Sequence, residues 1–293
     1  MVVSTCLSGD ELLSVTEKSL PTLWTTVVNL DEYQLNETEG RALAEEAGVK
    51  WKPEQFLGTP GSVILDVEDM KSRYRNSRPY EKTILRACKL LNRANIFIYK
   101  KELIRSICTS LFETEINESS WIDSITHLKE NSLVITSSSP TTIYVYDGTL
   151  ESVLYDYNPE YHFEALLNLL ITLEDAENLF YLGNAFYRDK DYENGEKSYN
   201  ECLRINPDDA EAHNNLGILL DDAGRKEEAE TEYREALRLK PDYAGAHYNL
   251  GTLYSETGKK EAAKKELEIA KRLFEAQGRA EYAKKVELLL HAH

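Results

Sequence analysis

The chain has 293 residues, 42% of them hydrophobic and 29% charged, with a formal net charge of −17. That length holds about two domains of roughly 150 residues each, and the balance is that of a soluble globular protein. The acidic excess argues against non-specific binding to DNA or anionic lipid, and no apolar run approaches the roughly 18 residues of a membrane span.

The first residues, MVVSTCLSGDELL, lack a basic segment followed by a long apolar one, so they do not read as a signal peptide. Cys6, Cys88, Cys108 and Cys202 are scattered and form no C-x-x-C pair, which fits reduced thiols and a cytoplasmic setting. VVST and LWTTVVNL read as short strands. LNETEGRALAEEAG is a helix opened by an Asn36 to Glu39 capping box and closed by Gly48. FLGTPG follows as a turn, and SVILDVEDMKSRY as a further helix.

From Pro79 to Asp147 the pattern is three helices and a hairpin. PYEKTILRACKLLNRA carries Ile84, Leu85, Cys88 and Leu91 on one side, and KKELIRSICTSLF follows the apolar run IFIY. NESSWIDSITHLKENSL opens on the N-cap candidate Asn117 and turns Trp121, Ile125 and Leu128 inward. LVITSSSP and TTIYVYD are two β-rich runs around a Ser-Pro turn. This is the winged-helix order. A DNA reader would present arginine, lysine or asparagine on the third helix; this one presents Glu118, Asp123, Glu130 and a single Lys129, so no nucleic acid is expected as a partner. Asn158-Pro159 marks a domain boundary, with FEALLNLLITLED apolar enough to pack the parts on either side of it.

The last third repeats itself. Leu182, Leu216 and Leu250 are spaced by 34 residues, as are Gly183, Gly217 and Gly251, and so are Ala229 and Ala263, Ala236 and Ala270, and Pro207 and Pro241. This resembles the tetratricopeptide repeat, a 34-residue helix–turn–helix unit. Three units fit, 176–209, 210–243 and 244–277, with a capping helix over 278–293 that places Tyr282, Val286 and Leu289 on one stripe. The first unit departs from the pattern at Gly195 and Cys202, the second at His213, and the third at His247 and at Glu275, where the closing proline is missing. The glycines sit where the two helices of a unit cross closely, and Tyr199, Tyr233 and Leu267 are expected to fill the space between units.

The resemblance implies a stack whose first helices line a concave groove. Its lining would be Asn184, Tyr187, Arg188, Asn214, Asn215, Asp222, Tyr248 and Asn249. Asparagine both donates and accepts, and so can hold a peptide backbone without demanding a sequence. Asn184, Asn215 and Asn249 match the repeats that clamp a terminal carboxylate, but the lysines and arginine of that clamp are absent. His213 and His247 stand one repeat apart, about 10 Å by helix packing, which is too far for one ion; packing roles are expected and no metal.

The N-terminal half resembles the lid and winged helix of a STAND-class ATPase, a signalling relative of AAA+ proteins. Ser4-Thr5 matches its strand end, Leu30 to Gly48 its helical lid, Gly58-Thr59-Pro60 its G-x-P turn, and the stretch from Tyr146 the close of its winged helix. The resemblance implies that Thr5 senses a γ-phosphate and that Gly58 and Pro60 meet the adenine and ribose, while the phosphates are held by a domain before Met1. No G-x-x-x-x-G-K-[ST] string occurs; the nearest, Gly251 to Lys260, is mis-spaced and lacks the hydroxyl. GTPG reads equally as a plain type-II-like turn.

The fold expected is therefore mainly α: a partial ATPase-like segment with a helical lid over 1–75, a winged-helix-like domain over 79–157, and a repeat solenoid over 158–293. With no G-x-S-x-G, H-E-x-x-H or paired-cysteine site, no enzyme is expected. The expected function is a scaffold that binds a peptide or protein partner, without cofactor and without membrane. The alternative is the regulatory half of a nucleotide-dependent switch, for which ATP or ADP would be the ligand.

Overall fold

The computed structural model describes residues 67–97, 99–130, 135–136, 142–144, 154 and 157–291. It divides into two compact units, Met1–Asn92 with Phe97–Pro159, and Arg93–Ile96 with Glu160–His293. Thr5, Gly58 and Pro60, the lid over 30–48 and the N-terminal strands lie outside the described residues.

The N-terminal unit begins, among these residues, with α1 (Val67–Asn76) and α2 (Pro79–Arg93). The start of α2 is set by three residues. Pro79 occupies the first helical position, where its missing N–H is no loss, and Glu81 reaches back to accept from the Arg78 backbone N–H at 2.8 Å. The Glu81 carboxylate is fully buried; it also pairs with the Arg78 guanidinium and has His127 Nδ1 at 3.0 Å. Ile84, Leu85, Cys88 and Leu91 face the core, as their spacing predicts. Burial pushes the Cys88 thiol well above its ordinary pKa, which keeps it protonated and unreactive.

Next come β1 (Tyr99–Lys100), α3 (Lys101–Phe112), α4 (Glu118–Glu130), β2 (Ile135–Thr136) and β3 (Thr142–Tyr144). Helix α3 stops at Glu113, which takes a left-handed φ of 49° while the Thr114 N–H closes the turn on the Cys108 carbonyl. Asn117 caps α4 by accepting from the Ser120 N–H at 2.8 Å. Trp121 and Leu128 are buried, and Ile125 is half-buried. The strands form an antiparallel sheet with β3 in the centre, pairing Tyr99 with Ile143 and Ile135 with Tyr144. The sequence pattern showed the hairpin but not β1, because the apolar run IFIY that leads into it does not alternate. Two of the α4 carboxylates are answered within the unit: Lys101 donates to Glu118 at 2.6 Å, and Arg78 to Asp123 at 2.5 Å.

The C-terminal unit is a row of helices: a short 3-10 turn (Pro159–His162), α5 (Phe163–Thr172), α6 (Ala176–Arg188), α7 (Tyr192–Ile205), α8 (Ala210–Asp222), α9 (Lys226–Leu239), α10 (Ala244–Glu256), α11 (Lys260–Ala276) and α12 (Ala280–His291). Caps punctuate the row. Asp175, Asp191 and Asp209 each accept backbone N–H groups at the start of α6, α7 and α8. Helices α7 and α9 end two residues before Pro207 and Pro241, whereas α11 meets no proline and runs to 17 residues against their 14.

Packing follows the repeat. A Cβ on Gly183 or Gly217 would lie 2.7 Å from the ring of Tyr199 or Tyr233, and one on Gly251 would lie 2.8 Å from Leu267. Tyr199, Tyr233 and Leu267 are thus seated on the glycine of their own unit. The space between the first and second units is met by Gly195, where a Cβ would meet Leu219 of α8 at 2.8 Å. That contact accounts for glycine where the later units carry Ala229 and Ala263. Both ends are covered. Phe163 of α5 packs edge-on against Phe186 at 5.6 Å, and Ala283 and Val286 of α12 close a cluster with Leu267, Ala270 and Phe274.

The turn inside each unit needs a left-handed residue: Lys190, Gly224 and Gly258, at φ of 61°, 80° and 77°. Only the first is not glycine. Replacing Lys190 by glycine is expected to stabilise the protein by about 0.5–1 kcal/mol, because the relieved Cβ clash exceeds the entropy glycine adds to the unfolded chain. Urea titration of Lys190→Gly checks this; a lower midpoint would mean that the lysine side chain contributes more than its backbone strain takes away.

Candidate partner-binding face

The helices α6, α8 and α10 form one row, and α7, α9 and α11 the other. The first row is joined along its length by carboxamides. The Tyr199 hydroxyl donates to Asn184 Oδ1 at 2.6 Å, and Asn215 Nδ2 donates to the same oxygen at 2.9 Å. Asn214 Nδ2 donates to Asn215 Oδ1 at 3.1 Å, and Asn249 Nδ2 donates to Asn214 Oδ1 at 3.0 Å. One hydrogen-bonded chain therefore crosses all three units. Asn214 is buried at 4% exposure, while Asn184, Asn215 and Asn249 are half-buried. Asn184 Nδ2 and Asn249 Oδ1, at the two ends, make no hydrogen bond among the described residues. A donor and an acceptor are left there at the surface, the pair of functions an extended backbone needs.

The other predicted lining residues are placed as follows. The Tyr187 hydroxyl donates to Asp222 Oδ2 at 2.6 Å across a unit boundary, and its ring lies 6.2 Å from that of Tyr192. Burial and the neighbouring Asp222 raise the Tyr187 pKa, so the phenol stays a donor. Tyr248 is half-buried. Arg188 is directed away from the row: it donates to Asn95 Oδ1 at 2.6 Å and to the Arg93 carbonyl at 2.8 Å, residues of the same unit.

Residues that sequence reasoning did not single out share the face. Tyr181, Ile218, Asp221, Thr252 and Glu256 are half-buried or exposed on these helices. A 34-residue step from Asp222 lands on Glu256 and would have found it. Asp221 has a raised pKa: burial is the largest cause, with Glu256 and Asp222 adding to it against Lys226. Lys226 pairs with Glu256 and lies 3.8 Å from Asp221.

His213 and His247 are packing residues of one design. Each Nδ1 lies 2.6 Å from a glutamate oxygen of its own unit's second helix, Glu232 or Glu266. Each Nε2 lies 3.0–3.1 Å from the carbonyl of Pro207 or Pro241. Among the described residues no group of three or more His, Cys, Asp or Glu side chains could hold a metal ion, and no helix is long and apolar enough to cross a membrane.

Family models described as "Tetratricopeptide repeat" match residues 176–209, 198–231 and 244–276, and one described as "TPR repeat" matches 222–258. Residues 176–276 carry tetratricopeptide repeats. None of the matching models describes a catalytic family. No curated protein matches the chain. Among solved structures, the chain is similar to the TPR2B domain of yeast Sti1, titled as a complex with pHsp70, at 21% identity and a TM-score of 0.38, covering 40% of this chain and 93% of that one. It is similar to the type III secretion translocator chaperone SycD of Yersinia enterocolitica at 18% identity and 0.39, covering 40% and 89%. It is similar to MamA at 19% and 0.39, covering 55% and 93%.

Proposed function

We propose that the tetratricopeptide repeats form a non-enzymatic scaffold that holds an extended peptide segment of a protein partner along α6, α8 and α10. The carboxamide chain carries this reading. It links Asn184, Asn215 and Asn249 across the three units, already ordered before a partner arrives, so little side-chain entropy is lost on binding. The caps α5 and α12 close the ends of the stack. In this reading residues 79–157 are a winged-helix-like module, supported by the helix–strand–helix–helix–strand–strand order and the central β3. The pairing of Glu118 with Lys101 and of Asp123 with Arg78 supports a structural role for α4. The nucleotide alternative rests on Thr5, Gly58 and Pro60, outside the described residues, and is not carried further.

The test is selection of a random twelve-residue peptide library on the full chain, followed by fluorescence anisotropy of the selected peptides. Asn215→Ala and Asn249→Ala are each expected to weaken binding about tenfold, the effect of one lost buried hydrogen-bond partner. Selected peptides that bind both variants as tightly as the parent, or a library that yields no binder below millimolar, would overturn the proposal.

A further inference from the structure

The charge on the two helix rows differs. On the row joined by asparagines, carboxylates stand against cations one to one in α6, three to none in α8 and one to none in α10. On the other row the ratios are three to two in α7, five to three in α9 and four to five in α11. One row is nearly balanced and laced with ion pairs such as Arg204–Glu201 and Arg238–Glu235. The other carries five carboxylates and one Lys or Arg, Arg188, which is turned to Asn95 and the Arg93 carbonyl.

The position of these carboxylates is unfavourable for the helices that carry them. Asp221, Asp222 and Glu256 stand in the last turns of α8 and α10, neither of which has a basic residue there. The C-terminal end of a helix already carries partial negative charge, so acids there oppose folding. Burial, with Glu256 and Asp222 adding to it, raises the proton affinity of Asp221, and one lysine, Lys226, answers both Asp221 and Glu256. Charges placed against local stability mark function more often than fold. Beside them the Tyr187 ring is held by its bond to Asp222 and backed by Tyr192. A fixed aromatic face next to carboxylates suits a planar guanidinium, which stacks on the ring and donates to the oxygens.

We propose that the segment held along α6, α8 and α10 is basic, with an arginine stacked on the Tyr187 ring and donating to the carboxylates of Asp221 and Asp222. This rests on the peptide-groove reading above and names its partner chemistry: an arginine-rich extended segment, the opposite in charge to an acidic tail.

The experiment uses the full chain and a fluorescein-labelled twelve-residue peptide alternating arginine and serine, read by anisotropy at about 0.15 M salt, where diffuse attraction is largely screened. Its citrulline counterpart, neutral and of the same shape, and its glutamate counterpart are expected to bind at least tenfold more weakly. Asp221→Asn/Asp222→Asn/Glu256→Gln is expected to lower affinity for the arginine peptide about tenfold, the sum of three modest ion pairs. The same triple variant should melt no lower than the parent, since it removes repulsion at helix ends. Glu201→Gln/Glu235→Gln/Glu268→Gln, on the other row, should change affinity less than twofold. Equal losses in the two triple variants would mean attraction to net charge alone and would overturn the proposal. So would equal binding of the citrulline peptide. A library whose selected peptides depend on Asn215 and Asn249 but show no basic enrichment would leave the groove standing and the basic segment refuted.

Discussion

Replacing Gly217 by valine is expected to destabilise the repeat unit by about 3 kcal/mol, at the upper end for overpacking a buried contact. A Cβ at this position would lie 2.7 Å from two carbons of the Tyr233 ring, and that ring is only 2% exposed. The ring cannot swing out to water without leaving the core of the middle unit, and a branched side chain adds a second methyl to the clash. In a stack each unit depends on its neighbours, so damage at the centre removes two interfaces as well as one unit. The expected readout is a lower urea midpoint with an earlier, less cooperative loss of helical circular dichroism.

Alanine at the same site separates the two terms. Gly217→Ala gains about 1 kcal/mol of helix propensity and loses about 2 kcal/mol to the clash, so a net loss of about 1 kcal/mol is expected. In a Tyr233→Ala background the clash is gone, and the same change should stabilise by up to about 1 kcal/mol. A reversal of sign is the signature of a direct contact. If the two substitutions add within about 0.5 kcal/mol, the close approach of α8 and α9 is not what demands glycine.

The repeat was legible because its physics is local and periodic. Glycine at 183, 217 and 251, proline at 207 and 241, and the capping stripe of α12 each follow from one helix meeting its sequence neighbour, and the step of 34 residues displays them. The missing proline near Glu275 goes with the longer α11. What the sequence did not show are contacts whose partner depends on the angle of stacking. Asn214 reads as a groove residue, yet it is buried as the link between Asn215 and Asn249. Gly195 reads as a departure from the pattern, yet it makes room for Leu219. Arg188 reads as a cation for a partner, yet it is engaged by Asn95. In each case the residue type was visible and the identity of its neighbour was not. The short strand β1 was hidden for a different reason: the apolar run IFIY that leads into it does not alternate.

The histidines make a prediction about pH that follows from their partners. His213 and His247 each face an acceptor on both ring nitrogens, a glutamate oxygen and a proline carbonyl. Only the imidazolium donates at both, so the folded state favours the proton. For both rings burial is the largest influence and opposes the charge, but it is outweighed by the glutamate and the proline carbonyl, and the pKa rises above its ordinary 6.5. Glu235 adds to the effect at His213. A folded pKa above the unfolded one means stability that is fully present below about pH 6.5 and lost as pH rises through the folded value. Each histidine can contribute a slope of at most about 1.4 kcal/mol per pH unit in that window. His162, whose pKa burial lowers, works in the opposite direction, so the total slope is not diagnostic. The difference is. Unfolding free energies of the parent and of His213→Gln/His247→Gln, measured by urea titration from pH 6 to pH 8.5, should converge as pH rises, because the variant lacks only the stability that the parent loses. Curves that stay parallel would show that neither ring changes its proton affinity on folding. Curves that diverge toward high pH would show that burial wins over the glutamates and that the two rings fold neutral.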